Sequence, residues 1–115
     1  MNIQIFGIHK CFDTKKAQRF FKERNIKFQF IDLKIKGLSK GELESVASAV
    51  GFNELFNKKS KKYERLNLHK ITTRSIREEI LLENTELYKT PIVRNKKEAT
   101  LGYKPEVWGS WIELQ

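Results

Sequence analysis

Cys11 is the sole cysteine of the chain, and it opens the tetrapeptide C-F-D-T, Cys11 to Thr14. A thiolate is the nucleophile in thiol–disulfide exchange, and a dithiol enzyme resolves its mixed disulfide with a second thiolate nearby. The position three residues after Cys11 holds Thr14. A threonine hydroxyl cannot attack a disulfide, but it can donate a hydrogen bond to a thiolate. A dithiol cycle within the chain is therefore excluded. Any redox cycle must borrow a thiol from glutathione, a glutaredoxin-like protein or another partner.

The setting of Cys11 favours reactivity. It falls between a strand and a helix, and the first amides of a helix carry partial positive charge that favours a thiolate. Cysteines so placed can have pKa values lowered to roughly 3.5–7.5. Lys10, Lys15 and Lys16 are expected to act in the same direction, with Asp13 weakly opposed. The competing reading is a small buried hydrophobe, the common fate of a free cysteine; the charged flanks argue against it. A second feature is Thr90-Pro91 ahead of a short apolar run. A cis X-Pro bond there would present the backbone of residue 90 to an extended thiol substrate, whereas a trans proline would merely open an edge strand.

The rest of the chain must position these residues. It has 115 residues, with Lys+Arg 23 and Asp+Glu 14, so the formal charge is 23 − 14 = +9. That length implies one domain over residues 1–115 with a single core. One cysteine and two histidines exclude a disulfide framework, a cysteine-based zinc site and a histidine cage, so no metal is expected. No apolar run approaches the roughly 20 residues of a membrane span. The first residues read as a strand rather than a signal peptide, which together with the free thiol implies a soluble, cytoplasmic protein. The positive charge is spread along the chain. Its densest run, Lys58-Lys59-Ser60-Lys61-Lys62, has no interleaved aromatics, so a solvated face or an acidic protein partner is expected and direct DNA binding is not.

Asn2 to Phe6 alternates polar and apolar residues as a strand does. From Asp13, Ala17, Phe20 and Phe21 form a helical stripe that ends at Arg24 and Asn25. Ile26 to Leu33 is a second strand with Phe28 and Phe30 on one face, completing a parallel βαβ unit. Ser39 and Glu42 form a capping box for a helix over Lys40 to Val50, closed by Gly51. Short helical turns are expected over Phe52–Asn57 and Tyr63–Leu68. A helix follows over Thr73 to Glu83, with Ile76, Ile80 and Leu81 inward and Arg77, Glu78 and Glu83 outward. Ile92-Val93 and Thr100-Leu101 flank a polar turn as a hairpin. Pro105 starts a last helix whose apolar face is Val107, Trp108, Trp111 and Ile112. The order β-α-β, a helical insertion over about 38–89, then β-β-α is that of an α/β, thioredoxin-like fold with a small mixed sheet.

The chain resembles the ArsC/Spx family, the arsenate reductase-like branch of the thioredoxin superfamily, over essentially its whole length. The resemblance is carried by I-F-G-I-H-K-C-F-D-T-K-K-A at 5–17, K-Y-E-R-L-N-L at 62–68, T-P-I-V at 90–93 and L-G-Y-K-P-E at 101–106. Gly7, Ile8, Lys15, Lys16 and Ala17 look most like the YffB-type members, for which glutathione-dependent thiol reduction is proposed. Thr14 and Lys15 are expected to stabilise the Cys11 thiolate, and the resemblance implies that Cys11 is the nucleophile. It places Thr90, Pro91, Asn57 and Tyr103 at the substrate. In arsenate reductases of this family three arginines hold the oxyanion; Asn57, Thr90 and Tyr103 stand at those positions here, and Gly7 replaces a histidine often found four residues before the cysteine. Asn, Thr and Tyr lack the charged bidentate fork of arginine. Efficient arsenate reduction is therefore not expected, although Lys58, Lys59 and Lys104 could supply point charges. Spx-type members bind the C-terminal domain of the RNA polymerase α subunit. That regulatory role is the alternative the resemblance implies, without the two-cysteine switch.

Overall fold

The computed structural model describes residues 1–115. Four strands, β1 (Ile3–Gly7), β2 (Phe28–Asp32), β3 (Ile92–Asn95) and β4 (Glu98–Leu101), form one sheet in the order β2-β1-β3-β4. β1 and β2 are parallel, with Ile5 opposite Phe30; β3 runs antiparallel to β1 and β4 antiparallel to β3. The helices are α1 (Phe12–Glu23), α2 (Lys40–Val50), α3 (Lys61–Arg65), α4 (Arg74–Glu83) and α5 (Pro105–Glu113), with short 3₁₀ turns between them. A thioredoxin-like α/β fold is thus present, with α2, α3 and α4 inserted between β2 and β3.

The sheet is buried on both faces because its strands carry apolar side chains on both. Ile3, Ile5 and Val93 meet Ala17, Phe20 and Phe21 of α1 and Trp108 and Trp111 of α5. On the other face Phe6, Ile31, Leu33 and Ile92 pack under the helical insertion, with Leu43, Val46, Phe56 and Leu81 among their neighbours. β1 is central, and Phe6 on its second face is as buried as Ile3 and Ile5 on the first. Phe28 and Phe30 do share a face, packing with the first group.

Local signals explain most boundaries. Asn25 adopts the left-handed conformation (φ 57°) that ends α1, and the Ile26 amide donates back to the Phe21 carbonyl. The Ser39–Glu42 capping box closes reciprocally, at 3.1 and 2.8 Å. Gly51 takes φ 95° after α2, a conformation that side chains disfavour. The hairpin turns at Lys96 and Lys97, with Lys96 at φ 56°.

Three details differ from the sequence reading. Arg77, placed outward by periodicity, is only 8% exposed, while Ile76, placed inward, is 47% exposed. The guanidinium reaches the Leu68 and Ile71 carbonyls at 2.7 and 2.9 Å and lies 4.4 Å from the Phe56 ring centroid. The Ile71 carbonyl has no backbone donor and the Leu68 carbonyl has only the Ile71 amide, so burying Arg77 supplies both with a charged donor. Val107 is also 39% exposed rather than on the apolar face of α5. It lies in the first turn, ahead of the tryptophans that set the buried stripe.

Candidate active site around Cys11

Cys11 is the N-cap residue of α1 and is partly buried. Its Sγ lies 3.7 Å from the Thr90 backbone carbonyl, within reach for a thiol to donate. The Thr90-Pro91 peptide bond is cis. Burial acts to raise the Cys11 pKa, but the hydroxyls of Thr14 and Thr90 and the amides of Thr14 and Asp13 outweigh it. The net direction is downward from the ordinary thiol value. Thr90 thus acts twice: its carbonyl accepts from the thiol, and its hydroxyl favours the thiolate. The net shift shows the donors prevailing.

Thr14 is fully buried, and its Oγ1 makes no hydrogen bond. An unpaired buried hydroxyl is unfavourable by about 1–3 kcal/mol. A negative sulfur nearby gives that hydroxyl an acceptor. This hydroxyl is among the groups that lower the Cys11 pKa, so it favours the thiolate over the thiol.

Cys11 opens onto a cleft of about 1000 Å³ between the insertion and the β4–α5 connection. Asn57 and Thr90 line it, as do Lys58, Lys59, Lys89 and Lys104. Two backbone bonds fix its far wall: the Asn57 amide to the Leu87 carbonyl at 2.7 Å, and the Lys89 amide to the Leu55 carbonyl at 2.8 Å. Asn57 uses its Oδ1 to accept from the Lys59 amide at 3.1 Å, which leaves its side-chain N–H groups for the cleft. The single carboxylate of the lining, Glu54, is 3.8 Å from Lys89. Donors and positive charge dominate the cleft.

Other residues singled out in the sequence lie elsewhere. Pro91 is buried behind Thr90. The Lys15 ammonium sits 5.6 Å from the Phe12 ring centroid and is not among the groups shifting Cys11. Tyr103 is outside the cleft lining; it packs edge-on against Trp108 at 5.6 Å, with Lys16 over its ring at 5.4 Å. The neighbouring Gly102 and Lys104 take its place on the cleft wall. Thr100 and Val107 also line the cleft and were not identified from sequence as site residues. Thr100 had a signal: it is the one hydroxyl residue of the expected β4, on the face opposite Leu101.

Residues 6–111 match the ArsC family model. The chain belongs to the ArsC family. A protein of Haemophilus influenzae without an assigned function is 30% identical over 107 residues, 88% of this chain and 90% of its own. The global transcriptional regulator Spx 2 of Oceanobacillus iheyensis is 27% identical over 107 residues, 90% of this chain and 78% of that protein. The solved structure of an arsenate reductase from Vibrio cholerae superimposes with a TM-score of 0.81 at 23% identity, covering 93% of this chain and 94% of the other. That likeness shows the shared fold. No helix is long and apolar enough to cross a membrane.

Proposed function

We propose that this protein is a single-cysteine thiol oxidoreductase of the reducing cytoplasm that works with glutathione or with a glutaredoxin-like partner thiol. The observation that carries the reading is a cysteine at a helix N-terminus, with its pKa lowered by hydroxyl and amide donors, facing a cationic cleft. In the first step the Cys11 thiolate attacks the glutathionyl sulfur of a mixed disulfide. A Cys11–glutathione disulfide forms and the substrate thiolate leaves. In the second step a glutathione thiolate attacks the glutathionyl sulfur on Cys11, releasing oxidised glutathione and restoring the Cys11 thiolate. The net change is an exchange: the substrate's mixed disulfide is broken, its thiol is released, and the glutathionyl group leaves joined to one incoming glutathione as glutathione disulfide. No second cysteine is needed.

The lysines of the cleft suit the carboxylates of such a thiol. They are point charges rather than the planar forks that hold tetrahedral oxyanions, so the site favours a thiol over arsenate. A glutathionylated peptide is the direct test: the protein should accelerate its reduction by glutathione, and Cys11→Ser should lose the acceleration. Equal rates with and without the protein contradict the proposal.

A second reading rests on the Spx 2 relative and on the net charge of +9. In it the chain binds the C-terminal domain of the RNA polymerase α subunit through its basic surface. Among the lysines and arginines only Lys89 has an ion-pair partner, Glu54, so most of the basic side chains are free to meet a partner. Binding of the purified polymerase domain, weakened by added salt, supports this reading, and absence of binding removes it.

A further inference from the structure

The side of the cleft formed by β4 and α5 contains a hydroxyl whose orientation is dictated from within the core. Trp108 Nε1 lies 2.8 Å from Thr100 Oγ1, with both groups buried. An indole N–H can only donate, so Thr100 Oγ1 must be the acceptor. Trp108 has no freedom to release it. The indole is fully buried and packed against Phe20 and Phe21, at 5.3 and 5.4 Å between centroids. Thr100 is likewise stiff, because a β-branched side chain in a strand has few χ1 options.

A threonine hydroxyl accepts and also donates one proton. The bond from Trp108 is the only one that Thr100 Oγ1 makes, so its own proton has no acceptor within the protein. Thr100 lines the cleft that contains Cys11. A donor with one lone pair already engaged by the core, at the edge of a cationic cleft, is matched by an acceptor oxygen on a ligand.

We propose that Thr100 is a specificity-determining residue that donates its hydroxyl proton to an oxygen, carboxylate or peptide carbonyl, of the thiol substrate bound with its sulfur at Cys11. Trp108 is the positioning residue that fixes the hydroxyl. The assignment rests on the thiol-exchange reading above for the identity of the ligand. It adds a polar contact on the wall opposite Lys58 and Lys59, so that a peptide thiol is gripped from both sides and simple alkyl thiols are disfavoured.

The test uses S-methylglutathione, which fits the ligand class but cannot exchange. Its binding to the unsubstituted protein, Thr100→Val and Thr100→Ser is measured by calorimetry, and iodoacetamide alkylation of Cys11 is followed against pH in each. Loss of a hydrogen bond to a charged or strongly polar oxygen is expected to weaken binding of Thr100→Val about tenfold or more. Thr100→Ser should bind close to the unsubstituted protein, and the alkylation profile should coincide in all three. Equal binding by Thr100→Val overturns the proposal, as does an alkylation profile that shifts together with the affinity, or no saturable binding by the unsubstituted protein. If Thr100→Val does not fold, Trp108→Phe removes the group that orients the hydroxyl: weaker binding with unchanged alkylation supports the assignment, and unchanged binding overturns it. Binding that behaves as expected in a protein that forms no disulfide at Cys11 would leave Thr100 as a ligand contact and reject thiol exchange.

Discussion

Gly7 and Thr14 occupy the same small volume beside Cys11. A Cβ placed on residue 7 would stand 2.5 Å from Thr14 Oγ1 and 2.6 Å from its Cγ2. The missing side chain at the end of β1 thus lets Thr14 pack inward from α1 and bring its hydroxyl beneath Cys11. Gly7→Ala should displace Thr14 and lower stability by about 1–3 kcal/mol, the usual effect of overpacking. Chemical denaturation checks the stability, and a slower Cys11 alkylation near neutral pH checks the link to the thiolate.

Thr14→Val separates stability from reactivity. Valine keeps the shape and removes a buried hydroxyl that makes no hydrogen bond. The variant should be as stable as the parent or more so at pH values where Cys11 is a thiol. Its Cys11 pKa should rise, since Thr14 is the first of the donors that lower it. Thermal unfolding below neutral pH and the pH profile of alkylation give the two readouts.

The lowered Cys11 pKa also sets a pH dependence of folding. The folded-state pKa lies below that of the unfolded chain, so the unfolded chain binds more protons between the two values. Stability from this group is fully present above the unfolded-state pKa and is lost as pH falls through the folded-state pKa. The stability difference between the parent and Cys11→Ser should therefore grow as pH rises across that interval. Parallel urea titrations over a pH series measure it; a constant difference would deny the shift.

Arg77→Ala should cost about 2–4 kcal/mol, because it leaves the Ile71 carbonyl without a donor, leaves the Leu68 carbonyl only the Ile71 amide, and removes the guanidinium from the Phe56 ring. Arg77→Lys should recover only part, since one ammonium cannot reproduce the planar fork. Urea denaturation of both variants distinguishes these outcomes.

The order of elements was legible because local signals coincide with it. The Ser39–Glu42 box, Asn25, Gly51 and Pro105 each mark a helix end, and the polar turn at Lys96-Lys97 between two short apolar runs marks the hairpin. Cys11 could be singled out for its place before a helix. Arg77 could not be placed, since burial of an arginine depends on carbonyls at Leu68 and Ile71 that come from an irregular turn. Tyr103 and Val107 were misplaced for a related reason: the tight entry into α5 decides which of residues 102–107 face the cleft, and no periodicity encodes that entry. The Thr100–Trp108 bond is likewise a tertiary contact, joining a strand to a helix across the edge of the sheet.

The central claim is that Cys11 is a thiolate-forming nucleophile in a cleft suited to a peptide thiol. The most direct measurement is the rate of mixed-disulfide formation between the protein and oxidised glutathione as a function of pH, followed by intact mass. One glutathionyl group should appear on Cys11, with a rate midpoint below that of the urea-unfolded chain, and added glutathione should remove it. No adduct, or an adduct whose rate follows the pH dependence of the unfolded chain, would contradict the account.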